Sequence, residues 1–255
     1  MTQTIDIPLI GGRVALNVRV RDVATAKAAM EIAGGACLFG FLVREYSSVD
    51  AAVEAIQAVQ ASVDRISVGL GEGDPTQWRA ALEVAVRTRP VHLNQPFACA
   101  GYSAGYLRGA GNQRTVVNAL VNPGSTPGKV IIATGPAGRE WGRRQGPTEV
   151  PAEEAMAYLR DASVFSVKLF PLRCREAVHH VRAVARAAAS AGIPLIEPTG
   201  GITPDNLAII LEAALAEGVS VMPHLYGALL SGDGELDIQK FRRCVAIART
   251  VTGKA

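Results

Sequence analysis

The chain has 255 residues, which is longer than a small β-sandwich requires and typical of one α/β barrel or two small domains. Hydrophobic residues make up 49% and charged residues 19%, a composition that supports a large core and excludes a largely disordered chain. The formal net charge is only +3 and the arginines are scattered, so no nucleic-acid partner is expected.

The cysteine pattern and the start of the chain indicate the compartment. The four cysteines (37, 99, 174 and 244) lie far apart and form no CxxC pair, which favours reduced thiols. The first residues, MTQTIDIPLIGG, lack the basic start and apolar core of a signal peptide. No apolar run approaches the roughly 18 residues of a membrane span. We therefore expect a cytoplasmic protein with no membrane partner.

Short β-branched runs alternate along the chain with longer alanine-rich amphipathic stretches. The strand-like runs are 13–20, 36–43, 65–71, 91–97, 115–121, 129–135, 166–172, 194–200 and 219–225. The helix-like stretches are 22–33, 48–60, 75–88, 151–160, 175–191, 203–216 and 235–250. This alternation predicts parallel strands joined by right-handed crossovers.

The number of strand-like runs predicts the architecture. Eight β units result if 115–121 is a barrel strand and 129–135 is its hairpin partner. We therefore predict an α/β protein with a (β/α)8 TIM barrel in one domain over residues 1–255. No GxGxxG opens the first helix, which disfavours a dinucleotide fold. Stretches 100–128 and 136–150 are rich in Gly, Pro, Asn and Arg, so we predict long loops around the fifth strand.

Polar residues and glycines follow several of the predicted strands. In such barrels the carboxyl ends of the strands carry the chemistry, so these residues are the candidates for a functional site. They are Arg44, Glu45, Gly69, Gly71, Glu72, Gly73, His92, Asn94, Gln95, Lys168, Glu197, Thr199, Gly200, Gly201, His224 and Tyr226.

Lys168 is the one lysine that needs a special explanation. Of the five lysines, it alone lies within an apolar strand, SVKLFPL. Burial disfavours the ammonium and lowers the pKa of the amine, and a neutral amine attacks carbonyls to form a Schiff base. The other interpretation is a lysine whose amine reaches solvent at the strand end, and the spacing alone favours neither.

The segment EPTGGITPDN, residues 197–206, leads from a predicted strand into a predicted helix. Its paired glycines would let backbone N–H groups approach an anion, and Thr203-Pro204-Asp205 predicts a capped helix start. Barrel phosphate sites commonly use the loops after the seventh and eighth strands and a helix N-terminus. An ordinary tight turn is the alternative interpretation.

These two segments together resemble a known family. VKLFPL resembles the Lys-Phe-Phe-Pro strand of the 2-keto-3-deoxy-6-phosphogluconate aldolases, and EPTGGITPDN resembles their Pro-Thr-Gly-Gly-Ile phosphate turn one βα unit later. Over nearly the whole chain the sequence is more similar to a divergent branch of that family, linked to glucosaminate catabolism. The segments that carry this likeness are ALNV (15–18), SVGLGEGD (67–74), HLNQPF (92–97), ATGP (133–136), VKLFP, EPTGGI and MPHLY (222–226).

The resemblance implies a class I retro-aldol cleavage of 2-dehydro-3-deoxy-6-phosphogluconate to pyruvate and glyceraldehyde 3-phosphate. Lys168 would attack the C2 ketone, and the protonated imine would accept electrons as the C3–C4 bond breaks. Neither a metal nor another cofactor is then expected, because the iminium supplies the polarisation. Thr199, Gly200 and Gly201 would hold the phosphate, and Arg44 would grip the keto-acid carboxylate through a bidentate pair.

The resemblance fails at Gly40, where the better-known aldolases carry a general acid/base glutamate four residues before that arginine. A proton shuttle is still needed. We favour Glu197, on the strand next to Lys168, although a structural carboxylate paired with an arginine is its other interpretation.

Four further residues are candidate shuttles: Glu45, Glu72, His92 and His224. The two histidines are also candidates for substrate binding or for hydrogen-bonded core positions, and Asn94 and Tyr226 for orienting the substrate.

The arginine-dense stretch GREWGRRQGP, residues 138–147, suggests a lid or an oligomer contact that attracts a doubly anionic substrate. A solvated face is an equally good interpretation. Related barrels associate, so we expect a homo-oligomer.

Other functions stay open at this level. One is a phosphosugar isomerase or epimerase with Glu197 or a histidine as base, and another is a phosphosugar-binding protein without catalysis. A metal-dependent aldolase would need carboxylate and histidine ligands that converge on one site. The sequence leaves the stereochemistry of the sugar acid and the breadth of substrates open.

Overall fold

The computed structural model describes residues 4–253. The strands are β1 (Leu16–Val18), β2 (Cys37–Leu42), β3 (Ile66–Gly69), β4 (His92–Pro96), β5 (Val116–Pro123), β6 (Lys129–Ile131), β7 (Glu149–Pro151), β8 (Ser166–Leu169), β9 (Leu195–Pro198) and β10 (Ser220–Val221). The α-helices are α1 (Val23–Ala33), α2 (Val49–Gln60), α3 (Trp78–Thr88), α4 (Phe97–Gly109), α5 (Pro136–Gln145), α6 (Ala152–Asp161), α7 (Ala177–Ala191), α8 (Leu207–Leu215) and α9 (Ile238–Val251).

Eight parallel strands form a closed barrel. Their order is β1-β2-β3-β4-β5-β8-β9-β10. Parallel bridges from Val14 to Val221 and from Asn17 to His224 join the last strand segment to the first. β6 pairs antiparallel with β5, and β7 pairs antiparallel with β6, outside this path. The predicted (β/α)8 barrel is therefore confirmed, as is the hairpin partner of the fifth strand.

The apolar core has two parts because successive side chains of a strand point to opposite faces of the sheet. The larger part joins the outer face of the barrel to the surrounding helices. The smaller part lies on the inner face, where Ala15, Leu38, Val116, Leu195 and Met222 form an apolar layer against Ile5, Ile7 and Leu9.

The same alternation directs the lysine inward. In β8, Val167 and Leu169 belong to the core beneath the helices. Ser166 and Lys168 point to the barrel interior, where their side chains bond to groups on β4 and β9. The lysine therefore faces the inside of the barrel.

Two stretches that we predicted as loops are partly helical. Residues 97–109 form α4, which the helix-like stretches did not include, and residues 136–145 form α5. α4 carries three glycines, which lower helix propensity, yet it buries Ala100, Ala104 and Leu107. α5 buries no residue, so no apolar stripe marks it in the sequence.

Two further findings concern membrane spans and cysteine pairing. Within residues 4–253, no helix is both long and apolar enough to cross a membrane. All four cysteines are unpaired.

Two glycines of α4 have opposite surroundings and give a matched test. A Cβ at Gly101 would lie 2.8 Å from the Cβ of Ala162, whereas a Cβ at Gly105 would meet nothing within 4 Å. Gly105→Ala should therefore raise the free energy of unfolding by up to about 1 kcal/mol through helix propensity. Gly101→Ala should lower it by about 1–3 kcal/mol through overpacking. Urea unfolding of both variants measures the difference, and equal shifts would contradict the close packing of α4.

Candidate active site

A cavity of ≈ 710 Å³ opens at the carboxyl ends of the barrel strands. This volume is typical of small-molecule sites. The residues with polar or glycine character that line it include most of those predicted from the sequence. They are Arg19, Arg44, Glu45, Gly69, Gly71, Glu72, Gly73, Asn94, Lys168, Arg173, Thr199, Gly200, Gly201, Thr203, His224, Tyr226 and Gly227.

Lys168 projects into this cavity from β8. Its Nζ donates to Oδ1 of Asn94 at 2.9 Å and lies 3.3 Å from Nδ1 of His224. Burial lowers the pKa of Lys168 to about 8, and the carboxylate of Glu197 opposes part of that shift. A sizeable fraction of the amine is therefore neutral near pH 8 while it faces an accessible cavity.

Glu197 lies beneath the cavity with its side chain fully buried. Its Oε1 accepts hydrogen bonds from Nε2 of His92 at 3.0 Å and from Oγ of Ser166 at 2.5 Å. Its Oε2 accepts from Nδ2 of Asn118 at 2.5 Å and from Nε2 of His224 at 2.9 Å. The sequence analysis considered an arginine as the partner of Glu197. In the structure its partners are instead two histidines, a serine and an asparagine.

These partners keep the carboxyl of Glu197 ionised. Burial alone would raise its pKa, but electrostatic attraction and hydrogen bonds from the imidazole N–H groups of His92 and His224 outweigh burial and hold the pKa well below the usual range. The pKa of His224 is lowered to about 3 by burial and by the charge of Lys168, against the opposing effect of Glu197. A neutral His224 therefore separates the buried carboxylate from the lysine.

The other histidine continues the network away from the lysine. Nδ1 of His92 lies 2.8 Å from Oγ of Ser67, which accepts from Nδ2 of Asn17 at 3.0 Å. Oδ1 of Asn17 in turn accepts from the hydroxyl of Tyr226 at 3.1 Å. His92 is fully buried and is absent from the cavity lining, so it reaches the cavity only through other side chains, Glu197 on one side and Ser67 with Asn17 on the other.

The side chain of Tyr226 lies against Gly40. A Cβ at Gly40 would overlap the hydroxyl of Tyr226. Burial raises the pKa of that hydroxyl above its usual value, so it stays protonated across the physiological range. The tyrosine hydroxyl therefore fills the position into which a longer side chain at residue 40 would project.

The predicted anion turn is present but begins its helix later than expected. Gly200 and Gly201 have φ of +79° and +77°, and a Cβ at Gly201 would overlap the carbonyl oxygen of Leu172. Glycine is therefore required at residue 201. α8 begins at Leu207, so the prediction that Thr203-Pro204-Asp205 caps the helix is wrong. The amide of Thr203 instead donates to Oδ1 of Asn206 at 2.8 Å, which closes a turn before the helix.

The cavity mouth holds three arginines, two of which the sequence analysis missed. Arg44 pairs with Glu72 at 3.3 Å, and both side chains are exposed. Arg19 pairs with Glu45 at 2.5 Å. Arg173 lies beside the glycine turn, where its Cγ would be 3.3 Å from a Cβ at Gly201. Arg19 and Arg173 each follow an apolar segment, and that position was the signal available in the sequence.

The arginine-dense segment 138–147 belongs largely to α5. Nη2 of Arg139 donates to the carbonyl oxygen of Gly73 at 2.6 Å, which ties the helix to the loop after β3. Trp141 is exposed. In the part of the chain that is described, no residue of this segment lines the cavity.

A metal-ligand set is not found among the described residues. Across positions 4–253, no three His, Cys, Asp or Glu side chains are arranged to hold a metal ion.

Comparison with known proteins adds a family and a fold. A family model described as KDGP aldolase matches residues 10–233. A 2-dehydro-3-deoxy-phosphogluconate aldolase from Salmonella typhimurium (strain 14028s / SGSC 2262) is 41% identical over 220 residues, which cover 86% of this chain and 87% of that protein.

Solved structures of lower identity share the fold alone. N-(5'-phosphoribosyl)anthranilate isomerase from Pyrococcus furiosus superposes with a TM-score of 0.56 at 12% identity, covering 93% of this chain and 99% of that chain. KGPDC from Streptococcus mutans superposes with a TM-score of 0.58 at 10% identity, covering 94% of this chain and 99% of that chain.

The contact between Gly40 and Tyr226 can be tested by a double-mutant cycle. Gly40→Ala should destabilise the protein by about 1–3 kcal/mol, because the new methyl group overlaps the tyrosine ring. Tyr226→Ala should largely remove that penalty, so the double variant should be more stable than the sum of the single changes predicts. Urea unfolding measures all four proteins, and additive effects would mean that the two residues do not touch.

Proposed function

This chain belongs to the KDGP aldolase family, and from that membership we propose that it cleaves 2-dehydro-3-deoxy-6-phosphogluconate through an imine on Lys168. The products would be pyruvate and glyceraldehyde 3-phosphate. The name of the Salmonella relative supports this class of substrate. Assignment to the branch linked to glucosaminate catabolism, a homo-oligomeric state and a cytoplasmic location stay predictions from the sequence.

One observation carries the proposal: an amine with a lowered pKa projects into the cavity. Near pH 8 about half of the Lys168 side chains would be neutral, as follows from a pKa of about 8. A neutral amine is the form that attacks a ketone. Asn94 accepts a hydrogen bond from Nζ and so fixes the direction of the amine.

The reaction would proceed in balanced steps. The neutral amine of Lys168 adds to C2 of the substrate, and the carbonyl oxygen takes one proton from Nζ and one from a general acid and leaves as water, which gives a protonated imine. A base removes the proton of the C4 hydroxyl, the C3–C4 bond breaks, and its electron pair moves into the iminium to form an enamine. The aldehyde leaves, the enamine takes a proton at C3, and water hydrolyses the imine to release pyruvate.

The two anionic groups of the substrate have separate candidate partners. Thr199, Gly200 and Gly201, with Arg173 beside them, would hold the phosphate through backbone N–H groups and one guanidinium. Arg44 would bind the carboxylate. Its present partner Glu72 has a side chain that is 84% exposed, so exchange of that ion pair for the substrate costs little.

Trapping with pyruvate and borohydride tests the imine. The intact mass should increase by one reduced pyruvyl group, and peptide mapping should place it on the peptide that contains Lys168. Lys168→Arg should abolish both the adduct and the cleavage activity, because a guanidinium stays charged and forms no imine. Lys129→Arg, at an exposed position of β6, is the matched control. It should form the same amount of adduct on the Lys168 peptide as the unaltered protein does.

The pH dependence of imine formation provides a second readout. Exchange of the carbonyl oxygen of ¹⁸O-labelled pyruvate with water should become faster as pH rises and level off above about 8, because the pKa of Lys168 is lowered. An ordinary lysine would give a midpoint near about 10.4. A folded protein that turns over phosphosugars without any adduct on Lys168 would instead favour the isomerase or epimerase.

Arg173 should affect binding of the phosphate and not the chemistry at C2. Arg173→Met should raise KM for the phosphorylated substrate roughly tenfold to a hundredfold, since a charge-assisted hydrogen bond is lost, with little change in kcat. Trapping with pyruvate, which has no phosphate, should be unaffected. Arg175→Met, an exposed neighbour outside the cavity lining, is the control. An equal rise in KM for Arg175→Met would mean that loss of positive surface charge, and not a specific contact of Arg173 with the phosphate, causes the effect.

A further inference from the structure

We propose that His224 transfers protons at the Lys168 amine during imine formation, and that Glu197 is the positioning residue that holds His224 for this task. The inference rests on the proposed function, since only an imine on Lys168 requires such transfers. It also changes the role that the sequence suggested for Glu197, from proton shuttle to partner of the shuttle.

Glu197 is too enclosed to exchange protons with a substrate. Both of its oxygens are occupied, by His92 and Ser166 on one side and by Asn118 and His224 on the other. The side chain is fully buried and is absent from the cavity lining. His224 lines the cavity and lies between this carboxylate and Lys168.

The direction of the hydrogen bonds follows from the ionised carboxylate. A carboxylate has no hydrogen to donate, so Nε2 of His224 must carry the proton that the 2.9 Å contact shares with Glu197. In the neutral ring, Nδ1 then has a free lone pair, and this lone pair faces Nζ of Lys168 at 3.3 Å. The carboxylate therefore selects the tautomer in which His224 accepts protons from the lysine.

The same rule gives the hydrogen-bond directions in the rest of the network. His92 also donates from Nε2 to Glu197, so its Nδ1 accepts from the hydroxyl of Ser67. Asn118 donates to Glu197 and to Oδ1 of Asn94, and that oxygen also accepts from Lys168. One contact brings two donors together, since Nδ2 of Asn17 lies 3.4 Å from Nε2 of His224, but that amide already donates to Oγ of Ser67 at 3.0 Å.

The proton steps balance around His224. The Lys168 ammonium passes one proton to Nδ1, and the neutral amine adds to C2 of the keto acid. A second proton moves from Nζ to the former carbonyl oxygen. His224 then returns the first proton to that hydroxyl, which leaves as water, and the protonated imine keeps the third.

Burial, the largest cause of the low pKa of His224, opposes this transient charge, and two neighbouring groups offset part of that effect. Four titratable groups face the ring: Lys168 on β8, Glu197 on β9, His92 on β4, and Tyr226, whose ring centroid lies 5.5 Å away. The charge of Lys168 is one cause of the low pKa of His224, and this cause vanishes when the proton leaves the lysine. The carboxylate of Glu197 stays in place and stabilises the imidazolium, as in acid–base triads.

The test measures exchange of ¹⁸O from labelled pyruvate, which reports imine formation and hydrolysis without C–C cleavage. His224→Gln should lower the exchange rate on the high-pH plateau roughly 10²–10⁴-fold, which is the usual contribution of a general acid–base group. Added imidazole should restore part of the rate in His224→Ala, because the deleted ring leaves room beside Lys168. His180→Gln, which replaces a buried histidine of α7 outside the site, is the matched control and should exchange at the unaltered rate.

Glu197→Gln separates positioning from a merely structural role. Loss of the carboxylate charge should slow exchange to a similar degree. It should also move the midpoint of the pH profile of exchange to a lower pH than in the unaltered protein, because Glu197 raises the pKa of Lys168. Glu217→Gln, on the surface, is the control for this change and should leave the midpoint in place.

The outcomes distinguish this inference from the proposed function. If the unaltered protein forms no pyruvate adduct on Lys168, the proposed function fails and the inference fails with it. If the adduct forms but folded His224→Gln exchanges at the unaltered rate and pH profile, only the role of His224 is overturned. If His224→Gln is slow, imidazole rescues His224→Ala and the Glu197→Gln midpoint falls, both roles are supported. A Glu197→Gln protein with an unchanged midpoint and rate overturns the positioning role.

Discussion

The buried negative charge of Glu197 is the constraint on which the rest of the site depends. A carboxylate removed from water is costly unless donors replace its hydration. Here four side-chain donors from β4, β5, β8 and the segment after β10 converge on its two oxygens. Since all four must donate, the tautomers of both histidines are determined by one ionisation state. The lysine then faces the unprotonated nitrogen of His224 and not a second proton.

The barrel can hold this polar network because its interior is divided into layers. The apolar layer of Leu38, Val116 and Leu195 closes the interior on the amino-terminal side. Above it, the inner positions are polar and mutually bonded, and the cavity follows at the carboxyl ends of the strands. A buried polar layer contributes less to stability than apolar packing would, but once all its groups are paired it holds side chains in one arrangement. This rigidity suits a site whose amine must point in one direction.

The fold by itself does not decide the reaction. Isomerases with 12% identity share this barrel over more than nine tenths of the chain. The distinction lies in the side chains at the strand ends, since function belongs to the site and not to the fold. In this chain those side chains include a lysine of lowered pKa, a carboxylate sealed beneath it and a glycine turn beside an arginine. Residue 40 is a further example of a difference in side chains on a shared fold. Gly40 has no side chain, and the hydroxyl of Tyr226, from the last part of the chain, fills the space that a side chain there would take.

Local patterns determined the architecture and several of the site residues from the sequence by itself. Strand and helix periodicities repeat within a few residues, so the eight β units, the unusual lysine at residue 168 and the glycine turn at residues 200 and 201 could be found, whereas the inward direction of the lysine came from the structure. α4 was missed because its glycines lower helix propensity, and α5 was missed because it buries no residue and so shows no apolar stripe. The contacts of Glu197 and His224 were decided by the tertiary structure. Their network joins residues as far apart as Asn17 and Tyr226, whose side chains meet only when the barrel closes. A hydrogen-bond direction set by such contacts has no local signature in the chain.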